Sequence, residues 1–114
     1  VYLVNTGWIG GSAASGAKRI SINNTRIIIR SILDKTIENS EFQIEPIFGL
    51  SCPVILNGID DRILNPRFAW NNPEEYDKYA KELANLFLEN FKTFGESVSY
   101  LNDSGPKKQN IVIV

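Results

Sequence analysis

Residues 73–94 most constrain this fold, because a helix of that length must lie against something. Asn72 is placed as an N-cap, Pro73 occupies the first turn, and Glu74 and Glu75 complement the positive helix end. Tyr76, Tyr79, Leu83, Leu86, Phe87, Phe91 and Phe94 recur at helical spacing, and Gly95 is a terminator. The stripe reads as core or docking surface. With 114 residues there is room for one domain and too little for two.

The other strong pattern is residues 5–26, NTGWIGGSAASGAKRISINNTR. A glycine- and serine-rich loop leaves an apolar run and enters the basic pair Lys18-Arg19. Loops of this build bring backbone N–H groups and cationic side chains up to an anion. The first 33 residues contain Lys18, Arg19, Arg26 and Arg30 and no acid, a local +4. The remainder carries 8 basic and 13 acidic groups, or −5, an asymmetry that the overall −1 conceals. It points to a phosphate or another anion.

The loop departs from a phosphate-binding P-loop. Gly11 and Gly16 have the GxxxxG spacing, but Ala17 separates Gly16 from Lys18, and Arg19 stands near the place of the Ser/Thr. The lysine and the magnesium-binding hydroxyl are therefore both misplaced. On residues alone, a plain surface loop, a solvated Arg19 and a helix-cap Thr25 stay open beside the anion reading. Arginine can also stack on a base, and a threonine hydroxyl can hydrogen-bond one.

Along the rest of the chain, residues 1–4 form an apolar run that reads as a buried strand. The chain opens on it without methionine or a charged leader region, as expected of a piece cut from something longer. Residues 20–33 fit two readings. One is a hairpin turning at Asn23-Asn24. The other is a helix capped by Ser21 or Asn23, with Ile28, Ile29, Ile32 and Leu33 on one face. The helix is preferred because Arg30-Ser31 would break a strand pattern. A short strand is expected at residues 42–44, followed by extended chain to Ser51-Cys52-Pro53. Residues 54–70 read as irregular chain pinned by apolar side chains such as Leu56, Ile59 and Ile63. Residues 111–114 read as a last short strand or a tail.

Several chemistries are excluded or disfavoured. No histidine is present, which removes every Ser-His or Cys-His arrangement. Cys52 is the only cysteine, so no internal disulfide forms, in keeping with a reducing, cytoplasmic setting. It reads as buried filler, and the adjacent Asp60 and Asp61 read as solvated turn residues. A net charge near zero argues against nucleic acid as the main partner. No apolar run approaches the ~20 residues of a membrane span.

The strings VYLVNTGWIGG, GAKRISINNTRIIIRSIL, CPVILNGIDDRILNPRFAW and PEEYDKYAKELANLFLENFKTF resemble the C-terminal end of the ATP-dependent phosphoenolpyruvate carboxykinases. The most specific parts are NTGW with its glycines, KRI with TR, and ILNPR before the final helix. The resemblance covers residues 1–95. It implies a mixed α/β segment, the last part of a mononucleotide-binding domain, with one long helix, one shorter helix and a few short strands. Residues 96–114 are left as a tail. The family converts oxaloacetate and ATP to phosphoenolpyruvate, ADP and carbon dioxide, with magnesium on the nucleotide and a second divalent ion, often manganese. The family's P-loop and metal ligands are expected upstream of these residues, so the segment alone is expected to be inactive. Carried over by motif, Arg19 lies against the adenine, Ile20 gives apolar contact, and Thr25 contacts the nucleoside. Two rival readings are a stand-alone anion- or nucleotide-binding module and a structural or oligomer-forming domain.

Overall fold

Asn72 Oδ1 accepts a hydrogen bond from the Glu74 amide at 2.9 Å and starts the longest element, α4 (Pro73–Phe91). The computed structural model describes residues 1–106, so the pattern at 111–114 lies outside the described residues. One 3₁₀ turn, Lys92–Phe94, continues α4 to Gly95. The face that α4 buries is narrow and small: Asp77, Ala80 and Ala84, with Ile47 inserted against the two alanines and Phe48 and Tyr76 at the margin. The large members of the expected stripe turn elsewhere, and Tyr79, Leu83, Leu86 and Phe87 are exposed. The stripe is therefore not the core of this chain. The alanine row lets the 46–48 turn come close to the helix.

The preferred helix forms as α1 (Ile22–Leu33), with Ser21 as its cap: Ser21 Oγ accepts from the Asn24 amide at 3.1 Å. No hairpin turns at Asn23-Asn24. The inward side differs from the expected one. Ile27, Ile28 and Ile32 pack on Ile37, Leu56 and Ile59, while Ile29 and Leu33 face out. The cause is the 3₁₀ turn Thr36–Asn39, which folds back after α1 and places Ile37 against it.

Among the described residues, strands are short and occur as two antiparallel pairs. Trp8–Ile9 (β1) pairs with Lys18–Arg19 (β2), and Phe42–Ile44 (β3) pairs with Ser51–Pro53 (β4). The strand at 42–44 is as expected, but extended chain does not follow it. The Glu45 carboxylate accepts from the Ile47 and Phe48 amides at 3.0 and 2.6 Å, and Gly49 adopts a φ of 71°. Together they close a hairpin, because a left-handed residue after a side-chain-capped turn reverses the chain.

Two further expectations are corrected. Residues 1–4 form no strand, and Leu3 is 82% exposed. A β-forming run becomes a strand only beside another that takes its N–H and C=O groups. Residues 54–70 are not irregular throughout. Asp60 caps a single turn, α2 (Asp61–Leu64), and Asn65 caps the next, α3 (Pro66–Ala69). Each cap takes an amide two residues on, from Arg62 at 2.9 Å and Arg67 at 3.2 Å, which lets helical turns as short as these form. Leu56 and Ile59 do pin the segment, as expected. No helix among the described residues is long and apolar enough to cross a membrane.

Candidate functional site

The basic pair lies on β2, and the helix that follows begins three residues after Arg19, at Ile22. The backbone is held on both sides of Arg19. Arg19 opposes Trp8 in the β1–β2 register, and the Ile20 amide donates to Gly7 O at 2.9 Å. The glycine loop closes this pair. Asn5 Oδ1 accepts from the Gly7 amide at 2.8 Å, and Ser15 Oγ donates to Ser12 O at 2.8 Å. Gly10 has a structural reason of its own. Its φ is 83°, and a Cβ added there would lie 3.0 Å from the Ala69 carbonyl oxygen. The loop thus needs glycine in order to pack on α3, whatever it binds.

The three residues singled out by motif lie on consecutive pieces of chain around the Ser21 cap. Arg19 is exposed, with its guanidinium carbon 5.7 Å from the Trp8 ring centroid. Ile20 keeps only 8% of its surface, so it presents an edge rather than a face. Thr25, in the first turn of α1, is half-buried. Its hydroxyl donates to Ser21 O at 3.1 Å, leaving the oxygen lone pairs to accept a hydrogen bond.

Beside the loop is an open cleft of about 450 Å³, lined by Gly10, Gly16, Lys18, Asp60, Arg62 and Asn71, among others. Sequence reasoning missed Arg62 here. It is held by Asp60, from Nε to Oδ1 at 3.1 Å and from Nη2 to Oδ2 at 2.8 Å. These hydrogen bonds from the arginine side chain, then from its amide, hold the Asp60 carboxyl down to about pKa 2. The only sequence hint was an aspartate at a cap position two residues before an arginine. Lys18 therefore brings a cationic group to the cleft, while the charge of Arg62 is largely offset by its partner.

Cys52 is half-buried, and burial, followed by the nearby Glu45 charge, pushes its thiol pKa up. That makes it a poor nucleophile. Among the described residues there is no group of three His, Cys, Asp or Glu side chains that could hold a metal ion.

Two small sheets and capped helices, with a cationic strand running into a helix start, define a mixed α/β chain. Comparison with known proteins agrees with the family resemblance. The chain belongs to the phosphoenolpyruvate carboxykinase family, whose model matches residues 1–62. A phosphoenolpyruvate carboxykinase (ATP) of Leptospira biflexa is 50% identical over 93 residues, covering 82% of this chain and 17% of that protein. Proteins of the same name from Caldanaerobacter subterraneus and Sulfurimonas denitrificans are 44% and 47% identical, each covering 94% of this chain and 20% of the relative. The chain thus spans about a fifth of the length of the curated relatives it matches.

Proposed function

We propose that this chain is a segment of an ATP-dependent phosphoenolpyruvate carboxykinase, with residues 1–95 completing its nucleotide-binding domain and residues 96–114 forming a tail. The longer enzyme converts oxaloacetate and ATP to phosphoenolpyruvate, ADP and carbon dioxide, a step toward glucose synthesis in the cytoplasm. The observation that carries this reading is the family match over residues 1–62, a stretch that contains Arg19, Ile20 and Thr25.

Within that enzyme the segment's task is to bind the purine side of ATP. Loss of carbon dioxide from oxaloacetate leaves an enolate, whose oxygen attacks the γ-phosphorus as the bond to ADP breaks. Positioning and charge neutralisation carry most of such a transfer. The exposed guanidinium of Arg19 takes the adenine, the edge of Ile20 gives apolar contact, and Thr25 accepts a hydrogen bond from the nucleoside. Magnesium and manganese are assigned to ligands in the rest of the polypeptide, as the family resemblance implies. The same remainder is the partner we assign to the bare side of α4, where Tyr79, Leu83, Leu86 and Phe87 are exposed.

Arg19→Ala in the complete enzyme tests the reading. A contact made equally in the ground and transition states sets KM rather than kcat. KM for ATP should rise, with turnover little changed, and an unchanged KM would overturn the assignment. The isolated segment should lack carboxykinase activity. Calorimetric binding of ATP by the segment alone, tighter than ~10 μM, would instead favour a stand-alone nucleotide module.

A further inference from the structure

The nucleotide reading leaves Trp8 without a role, yet it is the side chain that Arg19 meets. The two residues are opposed in the β1–β2 ladder, and opposed residues of an antiparallel pair project their side chains on the same face. The guanidinium carbon stands 5.7 Å from the indole centroid, within the range of a cation–π contact. None of the ion pairs among the described residues involves Arg19. Trp8 remains 46% exposed, so it is not spent on filling the core.

The geometry points to Trp8 as a positioning residue for the nucleotide: it holds the Arg19 guanidinium over its indole, so that the group's outer face is already set when a purine base arrives. This inference rests on the assignment of Arg19 to the base. The physical need is clear from the side chain. Arginine has several rotatable bonds, and an exposed one samples many rotamers that binding must then freeze. The β1–β2 ladder fixes the backbone of Arg19 but leaves its side chain free to swing. An indole face removes much of that freedom before binding, and preorganisation of this kind appears as affinity. Trp8 touches neither the reacting phosphate nor the substrate in this scheme, so it acts only through Arg19.

The test compares Trp8→Leu, Trp8→Phe, Arg19→Ala and the Trp8→Leu/Arg19→Ala double variant in the complete enzyme. An exposed cation–π contact corresponds to about a 2- to 5-fold change in binding. Trp8→Leu should therefore raise KM for ATP by about that factor with kcat unchanged. Trp8→Phe keeps an aromatic face and should recover most of the loss. The double variant should be no worse than Arg19→Ala alone. If Trp8→Leu leaves KM unchanged while Arg19→Ala raises it, the inference fails and the nucleotide reading stands. If Arg19→Ala has no effect, the nucleotide reading itself fails. A fall in kcat matching the rise in KM, in both Trp8 single variants, would mean that Trp8 only supports the loop and would also overturn the inference.

Discussion

Arg67 grips Asp77 with two hydrogen bonds, Nε to Oδ1 at 2.9 Å and Nη2 to Oδ2 at 3.0 Å, and so ties α3 to α4. Asp77 is the one charged residue among the buried described residues, at 8% exposure. It lies on the same face of α4 as Ala80 and Ala84, so the ion pair and the alanine row jointly decide which side of that helix turns inward.

Asp77→Asn should therefore cost about 1–3 kcal/mol, the range for hydrogen bonds to a charged group once one partner is weakened. The Arg67 hydrogen bonds, acting against some desolvation, hold the Asp77 carboxyl below its ordinary 3.8. A depressed carboxyl contributes stability that is complete above the unfolded value and is lost as pH falls through the folded one. Urea midpoints should thus drop in acid below about pH 4, and Asp77→Asn should flatten part of that fall. Asp34 and Asp60, also depressed, would add to it. An acid limb of unchanged slope in the variant would show that the pair contributes nothing.

Gly10→Ala should destabilise the chain by about 1–3 kcal/mol, because a φ of 83° disfavours an L side chain and the new Cβ would press on the Ala69 carbonyl. The loop should also become more open to protease, since its contact with α3 is what gives way. Limited proteolysis over residues 5–17 reads this directly. Equal cleavage rates in the two proteins would contradict it.

Ser21→Ala removes the hydroxyl that caps the Asn24 amide and should cost about 1 kcal/mol, while Ser21→Gly should cost only a few tenths. Fraying of the first turn of α1 would loosen Thr25, whose hydroxyl bonds back to Ser21 O. If Thr25 has the nucleoside contact proposed for it, KM for ATP in the complete enzyme should rise in Ser21→Ala before turnover falls. Hydrogen exchange at the Asn24 and Thr25 amides follows the local effect.

Cys52 should react with iodoacetamide more slowly than a small free thiol near pH 8, because burial and then Glu45 disfavour its thiolate. Denaturant should abolish the difference. A native rate equal to the denatured one would place the thiol in open water.

What was legible in the sequence was local. Ser21, Asp60, Asn65 and Asn72 each accept a hydrogen bond from an amide two or three residues on, and such caps act within one turn. That is why the helix from Pro73 and its Asn72 cap were readable, whereas at residues 20–33 the helix was favoured because Arg30-Ser31 would break a strand pattern. Asp60 and Asn65 carried the same signal. It was overlooked because the two turns they start are too short to show a periodic apolar pattern.

By itself, then, the amino-acid order determined the family, the helix starts, the positive charge of the first 33 residues and the motif positions Arg19, Ile20 and Thr25. The tertiary structure alone decided which side of each helix faces in. Hydropathy nominated the aromatic stripe of α4, yet Ala80 and Ala84 are buried because small side chains admit Ile47 and Asp77 has Arg67 to meet. It also left residues 1–4 without a strand and set Arg19 over Trp8. These outcomes depend on which distant segment comes alongside. No window of sequence contains that information, because a strand or a buried face exists only with respect to its neighbour.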